Sequence, residues 1–338
     1  MKRYSFLHTD PSENLVRQLC PGAAGEKDKT MFRLLPALGQ GSLSVIPFSG
    51  EVEIMFFDIA RLEMDLYIDF IPQGENGFYF IRFDDFIRIA ERKNIQAGIA
   101  ENRENGFLPG VCLSGECSVH SIFYPREYVL RSVIIKVRKS SLHLLLPGSE
   151  TPFIEAWEQL MQDRDQVSLP FGFKYRLLLK QLVDKIGFHP FAELFMLKNA
   201  SSLVRLLRDQ ALYYTENGLK GYNSTAGADV INLLRVERYL TDNYKAGFPG
   251  VQKLSRLSMM SPTKLKSAFK RSFGYTLFDY YQKYRLGLSK MMLEKAMPVK
   301  IVAAEFGYSN PSHFAVAFRK EFGIAPSELE PESEPVGN

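Results

Sequence analysis

The residues best suited to chemistry here are hydrogen-bond donors spaced along two short helical stretches, and the chemistry they suit is recognition of a polyanion. In Ser261-Pro262-Thr263-Lys264-Leu265-Lys266-Ser267-Ala268-Phe269-Lys270-Arg271 the polar positions fall away from the apolar pair Leu265/Phe269. Asn310-Pro311-Ser312-His313-Phe314-Ala315-Val316-Ala317-Phe318-Arg319-Lys320 repeats that order forty-nine residues later. Lys266 can donate to guanine O6 and N7, serine and threonine to several base edges, and Val316 can pack on a thymine methyl. Lys270, Arg271, Arg319 and Lys320 lie further along, where phosphate is the natural partner.

Other chemistries lack their residues. The five histidines, His8, His120, His143, His189 and His313, are scattered. None has the His-x-His partner and nearby glutamate that would converge on one metal ion. No phosphate-binding glycine loop and no Gly-x-Ser-x-Gly elbow occurs. Asp84-Asp85 reads as a solvated face of a short helix, Asp84–Arg92, and not as a pair of catalytic acids. Catalytic, cofactor and metal sites are therefore all expected to be absent. Cys20, Cys112 and Cys117 have no disulfide or C-x-x-C spacing and read as buried or half-buried thiols.

The donors need helices to hold them, and each stretch carries its own start and stop. Ser261 and Asn310 can cap the first turn, proline follows at the first helical position, and Gly274 and Gly323 close. Before each copy stands a shorter apolar-periodic segment: Val251, Leu254 and Leu257 in the first, Val302, Ala303 and Phe306 in the second. The arrangement predicts two helix-turn-helix units joined by a linker helix over Phe278–Lys295. Some eighteen residues at 1.5 Å each span about 27 Å. That approaches the roughly 34 Å between successive major-groove faces, so one chain could occupy two turns on one side of a duplex.

These residues resemble the AraC/XylS family of bacterial transcription regulators. The closing signature is present as Gly307-Tyr308-Ser309, Phe314, Phe318, Arg319-Lys320, Gly323 and Pro326, and Tyr284-Arg285 and Met292-Leu293 match in the linker helix. Ser255 and Ser289 depart from the alanines usual there, and both remain small. The likeness covers 229–330. It implies that Thr263, Lys264, Lys266, Ser267, Lys270, Arg271, Ser312, His313, Ala315, Val316, Arg319 and Lys320 form the DNA interface. It also implies a double-stranded promoter and RNA polymerase as partners, with a small-molecule effector and a homodimer in the same role. Arg285 is expected to pair or cap inside the unit.

Charge agrees with this reading. The chain of 338 residues carries +4, but Asp229–Glu330 holds sixteen Lys/Arg against nine Asp/Glu. Residues 1–228 hold twenty-six against twenty-seven, so the basic excess lies wholly in the C-terminal segment. No apolar run is long enough to span a bilayer and the opening is polar, which makes the cytoplasm the expected location.

Upstream, the expected architecture is α+β. A β-rich sensory domain occupies 1–150, a helical coupling or dimerisation region 151–215, a linker 216–228, the DNA unit 229–330 and a tail 331–338. Strands are expected over Val52–Ala60, Leu62–Phe70, Phe78–Phe83 and Tyr128–Val137, with turns at Gly74–Gly77 and Glu104–Gly106. They favour a small barrel or sandwich, compatible with the cupin-like effector domain of AraC-type regulators. Helices are expected over Glu13–Leu19, Leu142–Leu146, Pro152–Met161, Tyr175–Ile186 and Phe191–Tyr214. Their order resembles the siderophore-sensing branch. An alternative makes the N-terminal region a module for a protein partner.

Overall fold

The structure, a computed structural model, describes residues 1–21, 31–73, 78–88, 110–115, 117–126, 128–148, 150–161, 166–185, 192–217 and 227–329. It divides into two compact units. One comprises Met1–Phe171 and Leu178–Lys220, the other Gly172–Leu177 and Gly221–Asn338.

The first unit is β-rich. Its strands are β1 (Lys2–Leu7), β2 (Met31–Arg33), β3 (Gly39–Ser49), β4 (Val52–Leu62), β5 (Leu66–Ile71), β6 (Tyr79–Arg88), β7 (Gly110–Ser114), β8 (His120–Tyr124), β9 (Tyr128–Val137) and β10 (Gln166–Pro170). A seven-stranded sheet runs β10-β7-β6-β9-β4-β3-β2 and a three-stranded sheet runs β1-β5-β8. The sheets share one core, in which Phe6, Ile68, Phe70 and Ile122 meet Met55, Phe57, Phe80 and Ile134. Helices α1 (Ser12–Leu19), α2 (Glu150–Met161) and α4 (Ala192–Asn217) belong to this unit, and α4 packs against β3 and β4. Burial of β4 on both faces explains its unbroken apolar run, Ile54-Met55-Phe56-Phe57, where a one-sided strand would alternate.

Two expectations change here. Asp84–Arg92 was expected as a helix, yet Asp84 to Arg88 continue β6. In a strand, residues two apart share a face, so Arg82 and Asp84 point together into the interior. The Arg82 Nε lies 2.6 Å from the Asp84 carboxylate, and Ser132 Oγ donates to Asp84 at 2.7 Å. Asp84 is thus a buried, paired acid and not part of a solvated face. Second, the helix expected at Leu142–Leu146 is a 3-10 helix over Lys139–Leu144. Cys20 and Cys112 are buried and Cys117 is exposed. The expected turns at Gly74–Gly77 and Glu104–Gly106 lie outside the described residues, as do His189 and most of the expected linker.

α3 (Phe173–Lys185) begins in the second unit and continues into the first. The second unit then holds α5 (Gly227–Asp242), α6 (Val251–Ser258), α7 (Pro262–Phe273), α8 (Leu277–Glu294), α9 (Val299–Glu305) and α10 (Pro311–Phe322), with a 3-10 turn at Pro326–Glu328. Two small cores stabilise it. Leu265, Phe269 and Leu254 pack with Leu277, Tyr280 and Tyr281 of α8, while Phe314, Phe318 and Val302 pack with Leu286, Leu288 and Met291. One helix therefore supplies a wall to each core.

Candidate nucleic-acid interface

α7 and α10 are each set by their own cap. Ser261 is extended, and its hydroxyl accepts from the Lys264 N–H at 3.3 Å. Asn310 accepts from the Ser312 N–H at 2.8 Å. Gly274 and Gly323, at φ 79° and 78°, end the two helices in the left-handed region that glycine enters without a Cβ penalty. The turn before α7 places Met259 at φ 53°, whereas Gly307 takes φ 71° in the corresponding turn before α10.

Ser255 and Ser289, which depart from the alanine usual in the family the sequence resembles, have satisfied hydroxyls. Ser255 Oγ donates to the Met260 carbonyl at 2.5 Å, and Ser289 Oγ to the Leu286 carbonyl at 2.7 Å. Both bonds close locally, so neither position leaves an orphan polar atom.

With Leu265, Phe269, Phe314 and Phe318 fully buried, the opposite faces look outward. Thr263, Lys264, Lys266, Ser267, Lys270 and Arg271 are exposed on α7. Ser312, His313, Val316, Arg319 and Lys320 are exposed on α10, and Ala315 is half-buried. Val316 is 70% exposed, an apolar branched side chain offered to solvent in the middle of a polar face.

The cations divide into two groups. Lys264 Nζ lies 2.6 Å from the Asp229 carboxylate of α5, and Arg319 lies 3.1 Å from Glu328. Among the described residues Lys266, Lys270, Arg271 and Lys320 make no ion pair. The Glu328 carboxylate also accepts the Ala325 N–H at 2.6 Å, and that bond and Arg319 hold its pKa below the ordinary range. Neither Asp229 nor Glu328 is suggested by any local pattern, since each meets its cation across a turn or from another helix.

Arg285 acts within the unit. It leaves the middle of α8 and donates to the Phe306 carbonyl at the end of α9 and to Gln282 Oε1 at 2.8 Å. Its guanidinium lies 5.1 Å from the Tyr281 ring and 5.7 Å from Tyr308. A planar cation that caps a carbonyl and stacks on rings suits arginine and not lysine. The contact ties the second helix-turn-helix unit to the linker helix, so α8 sets the spacing between α7 and α10.

Comparison with known proteins supports this description. Residues 254–330 match the family described as a helix-turn-helix domain. A probable transcriptional regulator, LumQ, of Photobacterium leiognathi is 27% identical over 101 residues, 30% of this chain and 40% of that protein. The regulator GlxA of Rhizobium meliloti is 30% identical over 77 residues, 22% of this chain and 24% of that protein. The crystal structure of a probable AraC family transcriptional regulator from Rhodopseudomonas palustris shares 33% identity. It covers 29% of this chain and 93% of that one, with a TM-score of 0.27. The chain thus spans less than half of LumQ and about a quarter of GlxA. The C-terminal domain belongs to the AraC-type helix-turn-helix family.

Proposed function

We propose that this protein is a sequence-specific DNA-binding transcription regulator, whose tandem units place α7 and α10 in successive major grooves of a promoter. One observation carries the reading: two helices of the same build present exposed donors within the one segment that holds the basic excess. On this reading Lys266, Thr263 and Ser267 read base edges in one groove, and Ser312, His313 and Val316 in the next. Lys270, Arg271 and Lys320 hold phosphates. Lys264 and Arg319 exchange Asp229 and Glu328 for phosphate as DNA arrives, because an exposed ion pair is worth little and a phosphate offers the same charge.

The β-rich unit is the sensor in this proposal, built as a cupin-like fold and taking a small-molecule effector. What supports it is the polar content of its core. Arg82 with Asp84, and Lys136 with Glu53 at 3.3 Å, are buried ion pairs, and His8, Ser114, His120 and Ser132 are buried with them. Such pairs contribute little net stability against apolar replacements, so a role in recognising a polar ligand accounts for them. A homodimer and contact with RNA polymerase complete the proposal, acting in the bacterial cytoplasm where promoters lie. The test is selection of bound duplexes from a random library by the full chain. A recovered motif with two half-sites about one helical turn apart supports the reading, and recovery of unrelated sequences overturns it.

A further inference from the structure

Helix α3 is continuous over Phe173–Lys185, yet its first turn and its remainder belong to different units. Gly172–Leu177 groups with the helix-turn-helix unit, and the chain from Leu178 groups with the β-rich unit. Three side chains of that turn fit the second unit by three different kinds of complementarity.

The first is charge. Glu237 of α5 is fully buried. Arg176 meets it in a two-pronged pair, Nε to Oε1 at 2.9 Å and a terminal nitrogen to Oε2 at 2.6 Å. Tyr280 of α8 donates to the same Oε1 at 2.7 Å. A buried carboxylate is tolerated only when paired and hydrogen-bonded, and the arginine that pairs this one comes from 61 residues upstream. The second is aromatic shape: Phe173 sets its ring edge-on to Tyr280, 5.0 Å between centroids at 90°. The third is a groove. A Cβ on Gly287 of α8 would meet the Leu177 Cδ1 methyl, so the leucine rests where the glycine leaves the helix surface bare.

We propose that the Phe173–Leu177 turn is a plug that docks into a socket formed by Glu237, Tyr280 and Gly287, so that the second unit is complete only with this upstream segment seated. Tyr280 and Gly287 both lie on α8, the helix that spaces α7 from α10. Loss of the plug therefore acts on the element that sets the separation of the two recognition helices. Docking of the plug is independent of the DNA-binding reading, which enters only in what the plug would control.

The test uses the full chain with a site-specific protease sequence placed between Asn217 and Gly227. After cleavage, the fragments should stay together on size exclusion, held by the seated plug. The double variant Phe173→Ala, Arg176→Glu should release them. Separation of the unmodified fragments, or retention in the variant, overturns the proposal. Should that variant fail to fold, Arg176→Gln serves with dilution-induced dissociation as readout. Dissociation about tenfold faster or more is then expected, because truncating a buried charge pair acts mainly on the off-rate. An unchanged rate overturns the proposal. Neither readout requires DNA, so a failure here leaves the DNA-binding reading standing.

Discussion

Lys264 on the first turn of α7 and Asp229 on the first turn of α5 form an ion pair of 2.6 Å, at the edge of the face that α7 presents to solvent. The lysine is half exposed while the aspartate is mostly covered. A phosphate approaching α7 meets a cation already partnered and a fixed negative charge behind it. Replacing Asp229 with asparagine should strengthen binding to any duplex by about two- to fivefold, the range expected of an exposed pair. Titration against two unrelated duplexes checks this. Unchanged affinity on both would show that Lys264 stays clear of DNA.

Lys266 and Lys270 are both exposed cations on α7, but they should differ in kind. Lys266→Ala should cost about 1–3 kcal/mol on the preferred site and relax preference at one base position. Lys270→Ala should weaken all sequences alike and lower the slope of log affinity against log salt by about one. Competition titrations at several salt concentrations separate the two effects. Equal loss of specificity from both would mean that α7 lies differently in the groove.

Arg285→Ala removes the donor to the Phe306 carbonyl and the cation between Tyr281 and Tyr308. A loss of about 1.5–3 kcal/mol is expected for a hydrogen bond to a charged group, confined to the second helix-turn-helix unit. Amide exchange should rise in α9 and α10 and hold steady in α7. Uniform exchange across both units would contradict the assignment of Arg285 to the second one.

The local parts of this site were legible in the sequence, and the long-range parts were not. Caps at Ser261 and Asn310, exits at Gly274 and Gly323, and the Leu265/Phe269 and Phe314/Phe318 seams act within a turn or two, so residue order alone reveals them. Arg176 with Glu237 and Lys264 with Asp229 are brought together by folding across dozens of residues, with no periodic signal. The place of Asp84 is long-range in the same way. Adjacent acids suggest a solvated helix, and only pairing of β6 with β9 and β7 turns Asp84 inward to Arg82 and Ser132. β10 was hidden among helical stretches because its five residues pair with β7, which lies far back in the chain.

The β-rich unit should weaken in mild acid. His120 is fully buried, hydrogen-bonded through Nδ1 to Ser114 Oγ at 2.5 Å and stacked on Phe80. Burial, then the nearby Arg82 and His8, holds its pKa well below the ordinary value. The folded state thus refuses a proton that the unfolded chain accepts below about pH 6.5. Its contribution is fully present above that pH and is lost as pH falls, by about 1.4 kcal/mol per unit. Denaturant melts between pH 7.5 and 5 should show this slope, and His120→Gln should flatten it. An identical slope in the variant would place the acid sensitivity elsewhere.

The most direct measurement is the affinity of the full chain for its selected duplex at 50 and 200 mM salt, beside a scrambled duplex of equal length. With six or so phosphates contacted, affinity should fall about a thousandfold or more over that range, and the selected duplex should be preferred at both concentrations. Binding that ignores salt, or that does not distinguish the two duplexes, would contradict the account.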